Sequence, residues 1–295
     1  MLLVLFCVVS LTFLLARLAP GGPFDREKTP PPWIQKRLLE KYQLSGTLWE
    51  QYAAYMKDVC RGNLRVSFRY RNQTVNELLA QTLPVTATLG LAAFLISTTA
   101  GIWLGCLAAA RQHTNIDTAA MLAALFAISV PTFVTGPLLI LLFGLKLRLF
   151  PIGGWGGWTD IILPALTLAG PYTAYIARIM RTSMIEVLGQ DFIRTARAKG
   201  LTEQRVVYKH AIKVALLPVV SFLGPLAANL LTGSIVVETI FNIPGSGSFF
   251  VNSVLNNDMF LLCGVTIVYC ALLVVLNLGV DVAYTFLDRR IRLYE

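Results

Sequence analysis

The residue spacings that carry catalysis or nucleotide binding are missing from this 295-residue chain. It has no His-Glu-x-x-His, no Gly-x-Ser-x-Gly and no Gly-x4-Gly-Lys-Ser/Thr. The run Gly153-Gly-Trp-Gly-Gly157-Trp158 is rich in glycine but lacks the Lys-Ser/Thr that grips phosphates. The two histidines, His113 and His210, stand without a ligand cluster, which disfavours a membrane enzyme. What remains is a concentration of charge: Arg194, Arg197 and Lys199, between Asp191 and Gly200. Guanidinium and ammonium groups so placed pair with acids of a partner or with lipid phosphates. Their chemistry is recognition rather than bond-making. Asp191 is placed to N-cap a helix over Phe192 to Lys199, and Gly200 to end it in a left-handed conformation. Thr202 is placed to cap a second helix, with Glu203 in its first turn. The expected shape is helix, glycine elbow, helix, with Ala196 and Ala198 slimming its surface and Leu201 at the bend. On pattern alone, a basic loop without a partner is the plain alternative.

The elements that hold this elbow read as membrane spans. The chain is 56% hydrophobic and 14% charged, against about 25% charged in a soluble domain. Six apolar runs lie at 1–18, 83–110, 118–145, 161–180, 214–240 and 260–287. The net charge of +9 then reports orientation and does not point to nucleic acid. Between positions 178 and 213 there are eight Lys/Arg against three acids, and the tail adds Arg289, Arg290 and Arg292, so both segments read as cytoplasmic. Six spans put the N-terminus inside as well. Segment 20–82 is then outside despite ten Lys/Arg; its six acids offset part of that charge, and it reaches the length of about 60 residues at which the rule loses force. The first run reads as a retained helix rather than a signal peptide, since no Ala-x-Ala site follows it. Its apolar part spans only about 24 Å with no basic residue ahead, which leaves open a start further upstream. Four of the five cysteines lie in apolar runs, so no disulfide framework follows and no metal site is expected.

The outer segment has the pattern of a folded unit with mixed helix and strand. Pro30-Pro31-Pro32 sets an extended entry, Ile34, Leu38 and Tyr42 suit a short helix, and Leu48, Tyr52, Tyr55, Met56 and Val59 suit another. Val66, Phe68 and Tyr70 alternate as a strand does, and Thr74 with Glu77 forms a capping box that opens a helix toward Pro84. Gly101 and Gly105 either permit close helix contact or are incidental. Pro131, Pro137, Pro218 and Pro225 kink the third and fifth runs and favour the bundle interior or a pore. Trp155 and Trp158 suit headgroup depth, and Glu238 a solvated outer end. Asn229 and Thr232 in the fifth run, with Asn277 and Asp281 on one face of the last, either line a translocation path or pack between subunits.

Phe192-Ile-Arg-Thr-Ala-Arg-Ala-Lys-Gly-Leu201, with His210-Ala211 and Leu217-Pro218, resembles the signature loop of ABC importer permeases. The resemblance is to the B-type membrane subunit of the oligopeptide and dipeptide permease family and covers nearly the whole chain. Arg17-Leu-Ala-Pro-Gly21 resembles the end of that family's first helix, and Glu238-Thr-Ile-Phe-Asn-Ile-Pro-Gly245-Ser-Gly247 its outer loop after the fifth. It implies an all-α polytopic protein with the type I ABC importer permease fold of six transmembrane helices and a small extracytoplasmic segment of α/β character. The implied divisions are a first helix over 1–19, an extracytoplasmic segment over 20–82, a five-helix core over 83–287 with its coupling loop at 181–213, and a tail over 288–295. It also implies a heterodimer with a C-type permease subunit, two cytoplasmic ABC ATPase subunits, an extracytoplasmic substrate-binding protein, and no cofactor. The loop holding Arg194, Ala196, Arg197, Ala198, Lys199, Gly200 and Leu201 would dock in an ATPase groove. Di- and oligopeptides are the first substrate choice; nickel and other small cargo occur in the wider family. Three departures stand out. The general signature begins Glu-Ala-Ala where this chain has Arg194-Thr195-Ala196; a common Gly-Asp-Leu-Gly reads Gly62-Asn63-Leu64-Arg65; and a Pro that often follows the final Asp is Arg289. A secondary transporter is the competing class, but no inverted repeat is visible and only Asp281 hints at an ion site.

Overall fold

The computed structural model describes residues 2–18, 31–42, 44–70 and 72–287. Expectations placed on 20–30, which include Pro20, Gly21 and Pro30, and on Arg289, Arg290 and Arg292 lie outside these. In chain order the helices are α1 (Leu2–Leu18), α2 (Pro32–Lys41), α3 (Leu48–Cys60), α4 (Val75–Ala110), α5 (Asn115–Ser129), α6 (Thr132–Leu139), α7 (Ile162–Leu188), α8 (Asp191–Ala198), α9 (Glu203–Arg205), α10 (Ile212–Ala215), α11 (Leu217–Thr232), α12 (Ile235–Ile240), α13 (Gly247–Leu255) and α14 (Met259–Leu287). Wider π-helical turns follow α6 at Ile140–Lys146 and α9 at Val206–Ala211.

Helical class stands, but the span pattern differs from six equal crossings. Among the described residues, three helical stretches are long and apolar enough to cross a membrane: Val75–Ala110, Leu217–Ile240 and Met259–Val282. The third expected span is broken: Asn115–Ser129 and Thr132–Lys146 meet at 106°. The cause is Pro131, which lacks an N–H and forces Val130 into an extended conformation (φ −86°, ψ 119°). The 27-residue helix α7 is long enough, at about 40 Å, but Arg178, Arg181 and Glu186 near its end dilute its apolar character. The fifth span pauses at Gly233 (φ +98°), after which the Ser234 hydroxyl caps α12 by accepting from the Val237 N–H. The expected strand is also absent. Among the described residues the β-pairing is one isolated antiparallel bridge, Val66 to Thr74. The α/β character of the outer segment is therefore not seen.

The chain divides into two compact units, the first comprising Met1–Thr86 and Pro244–Val274. Its core is aromatic. Tyr55 on α3 is fully buried, stacked on Phe13 of α1 at 5.4 Å and on Phe260 of α14 at 5.9 Å. Phe68 joins Phe260 at 4.9 Å and Tyr42 meets Phe68 edge-on at 4.8 Å. Thus α1 is more than a lipid-facing anchor, because Val9 and Phe13 are buried and Ser10 bonds the Tyr52 hydroxyl at 2.6 Å. Two capping boxes start the helices: Thr47 with Glu50 opens α3, and Thr74 with Glu77 opens α4 as its sequence implies. Arg65 occupies left-handed space (φ +66°), where the resembling family often has glycine. That backbone costs an L-residue about 1–2 kcal/mol. The guanidinium offsets it by lying 5.1 Å over Phe260 while Nε donates to Asp58 at 2.8 Å. Asp258, fully buried, closes the unit. One carboxylate oxygen accepts from the Ser67 hydroxyl and from the Phe68 and Arg69 N–H groups; the other caps α14 by accepting from Leu261.

The second unit comprises Ala87–Ile243 and Val275–Glu295. Its axis is α7, against which α5, α6, α10, α11 and α12 pack. Glycines set the closest approaches. A Cβ at Gly101 would lie 2.7 Å from Ile176 Cβ, and one at Gly105 2.6 Å from the Ala177 carbonyl oxygen. The two glycines therefore seat α4 on the backbone of α7. Gly153 meets the Phe241 carbonyl equally closely, and the Gly154 N–H donates to that oxygen at 2.8 Å. In the tryptophan-bearing turn, packing thus calls for glycine at 153, and the positive φ of +105° at 154. Glu238 is buried rather than solvated, one turn inside α12.

Candidate functional site: the glycine elbow and its base

Helix α8 starts one residue earlier than a capping Asp191 would place it. Gln190 is the N-cap, in extended conformation, and Asp191 is the first helical residue, where its charge favours the positive helix end. The end of α8 follows the sequence closely. Gly200 (φ +76°) donates to the Arg197 carbonyl at 2.9 Å, and the Leu201 N–H points to the Ala196 carbonyl at 3.4 Å. These are the two bonds of a Schellman motif, which satisfies carbonyls that the helix end leaves open. Thr202 is the N-cap of the second helix, through its backbone alone.

The elbow carries an internal clasp that spacing did not reveal. Arg197 grips Glu203 with two bonds, Nη2 to Oε1 at 2.6 Å and Nε to Oε2 at 3.0 Å. This contact pulls the Glu203 carboxyl below the usual carboxylate range and raises the Arg197 guanidinium. Arg197 is therefore engaged within the hairpin. Arg194 lies 3.6 Å from Asp191, with both side chains exposed. Among the described residues no acid pairs with Lys199. Of the two alanines, Ala198 is exposed while Ala196 turns inward with Ile193. Those two side chains form the inner face of α8, which packs against the π turn at Val206–Ala211. Val206, Ala211 and Ala215 are fully buried there.

The base of the elbow is held by an ion pair that the sequence reading did not single out. Asp117, in the first turn of α5, receives Arg181 of α7 through Nε at 2.5 Å and Nη2 at 2.7 Å, and also accepts from the His113 N–H at 3.2 Å. Asp117 is nearly buried (6% exposed) and Arg181 mostly so (24%). The available signal was an acid and a base just past the facing ends of two consecutive apolar runs.

The candidate path residues fall into two groups. Asn229 accepts from the Tyr172 hydroxyl at 3.1 Å, and the Thr232 hydroxyl donates to the Asn229 carbonyl at 2.9 Å. Asn277 instead faces Gly224, where an added Cβ would lie 2.8 Å from Asn277 Oδ1; Asp281, one turn on, is exposed. Gly224 and Asn229 are about 140° apart around α11, so the four residues do not converge.

Comparison with known proteins places this arrangement. Residues 101–293 match the family described as binding-protein-dependent transport system inner membrane component. The chain is 44% identical over 290 residues to the oligopeptide transport system permease protein OppB of Salmonella typhimurium, covering 98% of this chain and 95% of that protein. It is 41% identical over 293 residues to the dipeptide transport system permease protein DppB of Lactococcus lactis, covering 99% and 96%. An inward-facing structure of the MetNI methionine ABC transporter superposes with a TM-score of 0.58 at 17% identity, over 72% of this chain and 96% of that one. That last likeness speaks to the fold alone.

Proposed function

This chain belongs to the family of binding-protein-dependent transport system inner membrane components, and we propose that the elbow around Gly200 couples its spans to ATP hydrolysis elsewhere. It is the permease subunit of an ABC importer of the oligopeptide and dipeptide class and is not itself an enzyme. ATPase and binding-protein partners come with that membership. The finer assembly we propose is a C-type permease subunit paired with this one, two cytoplasmic ATPases and one extracytoplasmic binding protein. The six crossings of the bilayer are α1, α4, the bent α5–α6 pair, α7, α11–α12 and α14, with both termini and the elbow in the cytoplasm. Segment 20–82 then faces outward, 83–287 is the permease core and 288–295 a cytoplasmic tail.

The observation that carries the coupling role is the elbow's construction. Arg194, Ala198, Lys199 and Gly200 are exposed at its tip, with Leu201 half-buried beside them, while Ile193, Ala196 and Val206 are buried beneath. A tip that is rigid and slim transmits displacement into α7, which leads into it, and into α11, which leads away. Asn229, Thr232, Asn277 and Asp281 are proposed to face the path or the partner permease. The test is a photo-crosslinking residue at Lys199 in the assembled importer. It is expected to capture an ATPase subunit, and peptide uptake is expected to require ATP. Capture of anything else, or uptake that persists without ATP and collapses with the proton gradient, would favour a secondary transporter instead.

A further inference from the structure

Helices α7 and α11 share a stripe of exposed and half-buried residues that carries polar groups and an unneutralised charge. On α7, Tyr172, Tyr175 and Arg178 recur every third residue. Beside them on α11 lie Ser221, Phe222, Pro225 and Asn229. The contacts are specific: the Tyr172 hydroxyl reaches Asn229 Oδ1 at 3.1 Å, the Tyr175 ring lies 6.3 Å from Phe222, and the Arg178 guanidinium sits 5.9 Å over Tyr175. Among the described residues no acid pairs with Arg178, so its charge is left for something else. Pro225 has no N–H to offer the Ser221 carbonyl, and both residues are exposed here. A carbonyl without its helical donor costs several kcal/mol against acyl chains, so this face meets water, protein or a polar ligand rather than lipid.

We propose that Tyr172, Tyr175 and Arg178 form a binding ladder for the passing peptide, with Arg178 taking its C-terminal carboxylate. The proposal rests on the reading of this chain as a peptide importer subunit. From Tyr172 to Arg178 the helix rises about 9 Å, the length of about three extended residues. Arginine binds a carboxylate with paired donors. Tyrosine faces accept varied side chains because every apolar or aromatic group stacks on them, and the Tyr172 and Asn229 pair exchanges bonds readily with a peptide backbone. Such a ladder recognises the common ends and backbone of peptides without reading their sequence. Arg178 lies nearest the elbow, so the carboxylate end leads on the way in.

The experiment uses the complete importer in proteoliposomes with its binding protein, and a tripeptide either free or amidated at its C-terminus. Arg178→Gln is expected to lower uptake of the free peptide about tenfold. The amidated one should change less than twofold, and Arg178→Lys, which keeps the charge but not the paired donors, should recover part of the loss. A photo-crosslinking residue at Tyr175 is expected to capture labelled peptide during turnover. Equal losses for both peptides, no loss at all, or capture of only lipid or the partner permease would overturn the ladder; loss of subunits from the purified variant would make the face a subunit interface. A wild-type importer that moves no peptide would sink the functional reading itself, a result distinguishable from all of these.

Discussion

Gly200 offers a graded test of whether backbone geometry, rather than bulk, makes the elbow. Its φ is +76°, and nothing lies within 4 Å of where a Cβ would stand. Alanine there meets no clash in this chain; it bears only the left-handed penalty of about 1–2 kcal/mol. Asparagine bears less, since it visits this region readily. Against that strain stand two Schellman bonds worth about 1 kcal/mol each and an exposed Arg197–Glu203 clasp worth about 0.2–1 kcal/mol. Alanine therefore leaves the closed elbow favoured by only about 0.2–2 kcal/mol, and the more restricted valine by less. Proline abolishes it, because it fixes φ near −65° and deletes the N–H that bonds Arg197. The expected order of coupling, measured as peptide imported per ATP hydrolysed, is Gly, Asn, Ala, Val, Pro. Hydrogen exchange at the Leu201 amide should lose protection in the same order. Equal coupling in all five would refute the reasoning. So would an equal collapse in the four variants, which would assign the position to a tight groove on the partner.

Other perturbations address the frame. Asp117→Ala leaves Arg181 without its acid and should destabilise the detergent-solubilised importer by about 3 kcal/mol, the low end for breaking a buried pair given the partial exposure of Arg181. Gly105→Ala drives a methyl into the α7 backbone and should cost about 1–3 kcal/mol, read as a lower melting temperature. Asp258→Ala strands the buried Ser67 hydroxyl and the half-buried Phe68 N–H, and should destabilise by more than about 2 kcal/mol; retained thermal stability would contradict the bonding described.

Local chemistry made the elbow legible. A glycine at C′ and a threonine at an N-cap are decided within a few residues, and both stand where their types place them. The Arg197–Glu203 clasp was hidden because six residues separate the pair, and only the bend brings them together. Asp117 with Arg181, 64 residues apart, and Asp258 with Ser67, 191 apart, are tertiary facts that no period encodes. The alternation at Val66, Phe68 and Tyr70 suggested a strand. Its segment had a buried carboxylate to wrap instead, and its N–H groups turned to Asp258 rather than to a neighbouring chain. The 106° bend shows the limit of counting prolines, which marks where a helix breaks but not how far it turns.

The carboxylate of Asp258 also fixes an order of events in the making of this protein. The Ser67 to Arg69 loop leaves the ribosome about 190 residues before the acid that organises it. At roughly 5–20 residues per second this is an interval of about 10–40 s. During that time Tyr55 also lacks Phe260, one of its two stacking rings. The first unit is thus sealed only by the arrival of the final helix. A chain truncated before Asp258 would carry an open aromatic core and unbonded amides, a mark by which quality control could tell an unfinished subunit from a finished one.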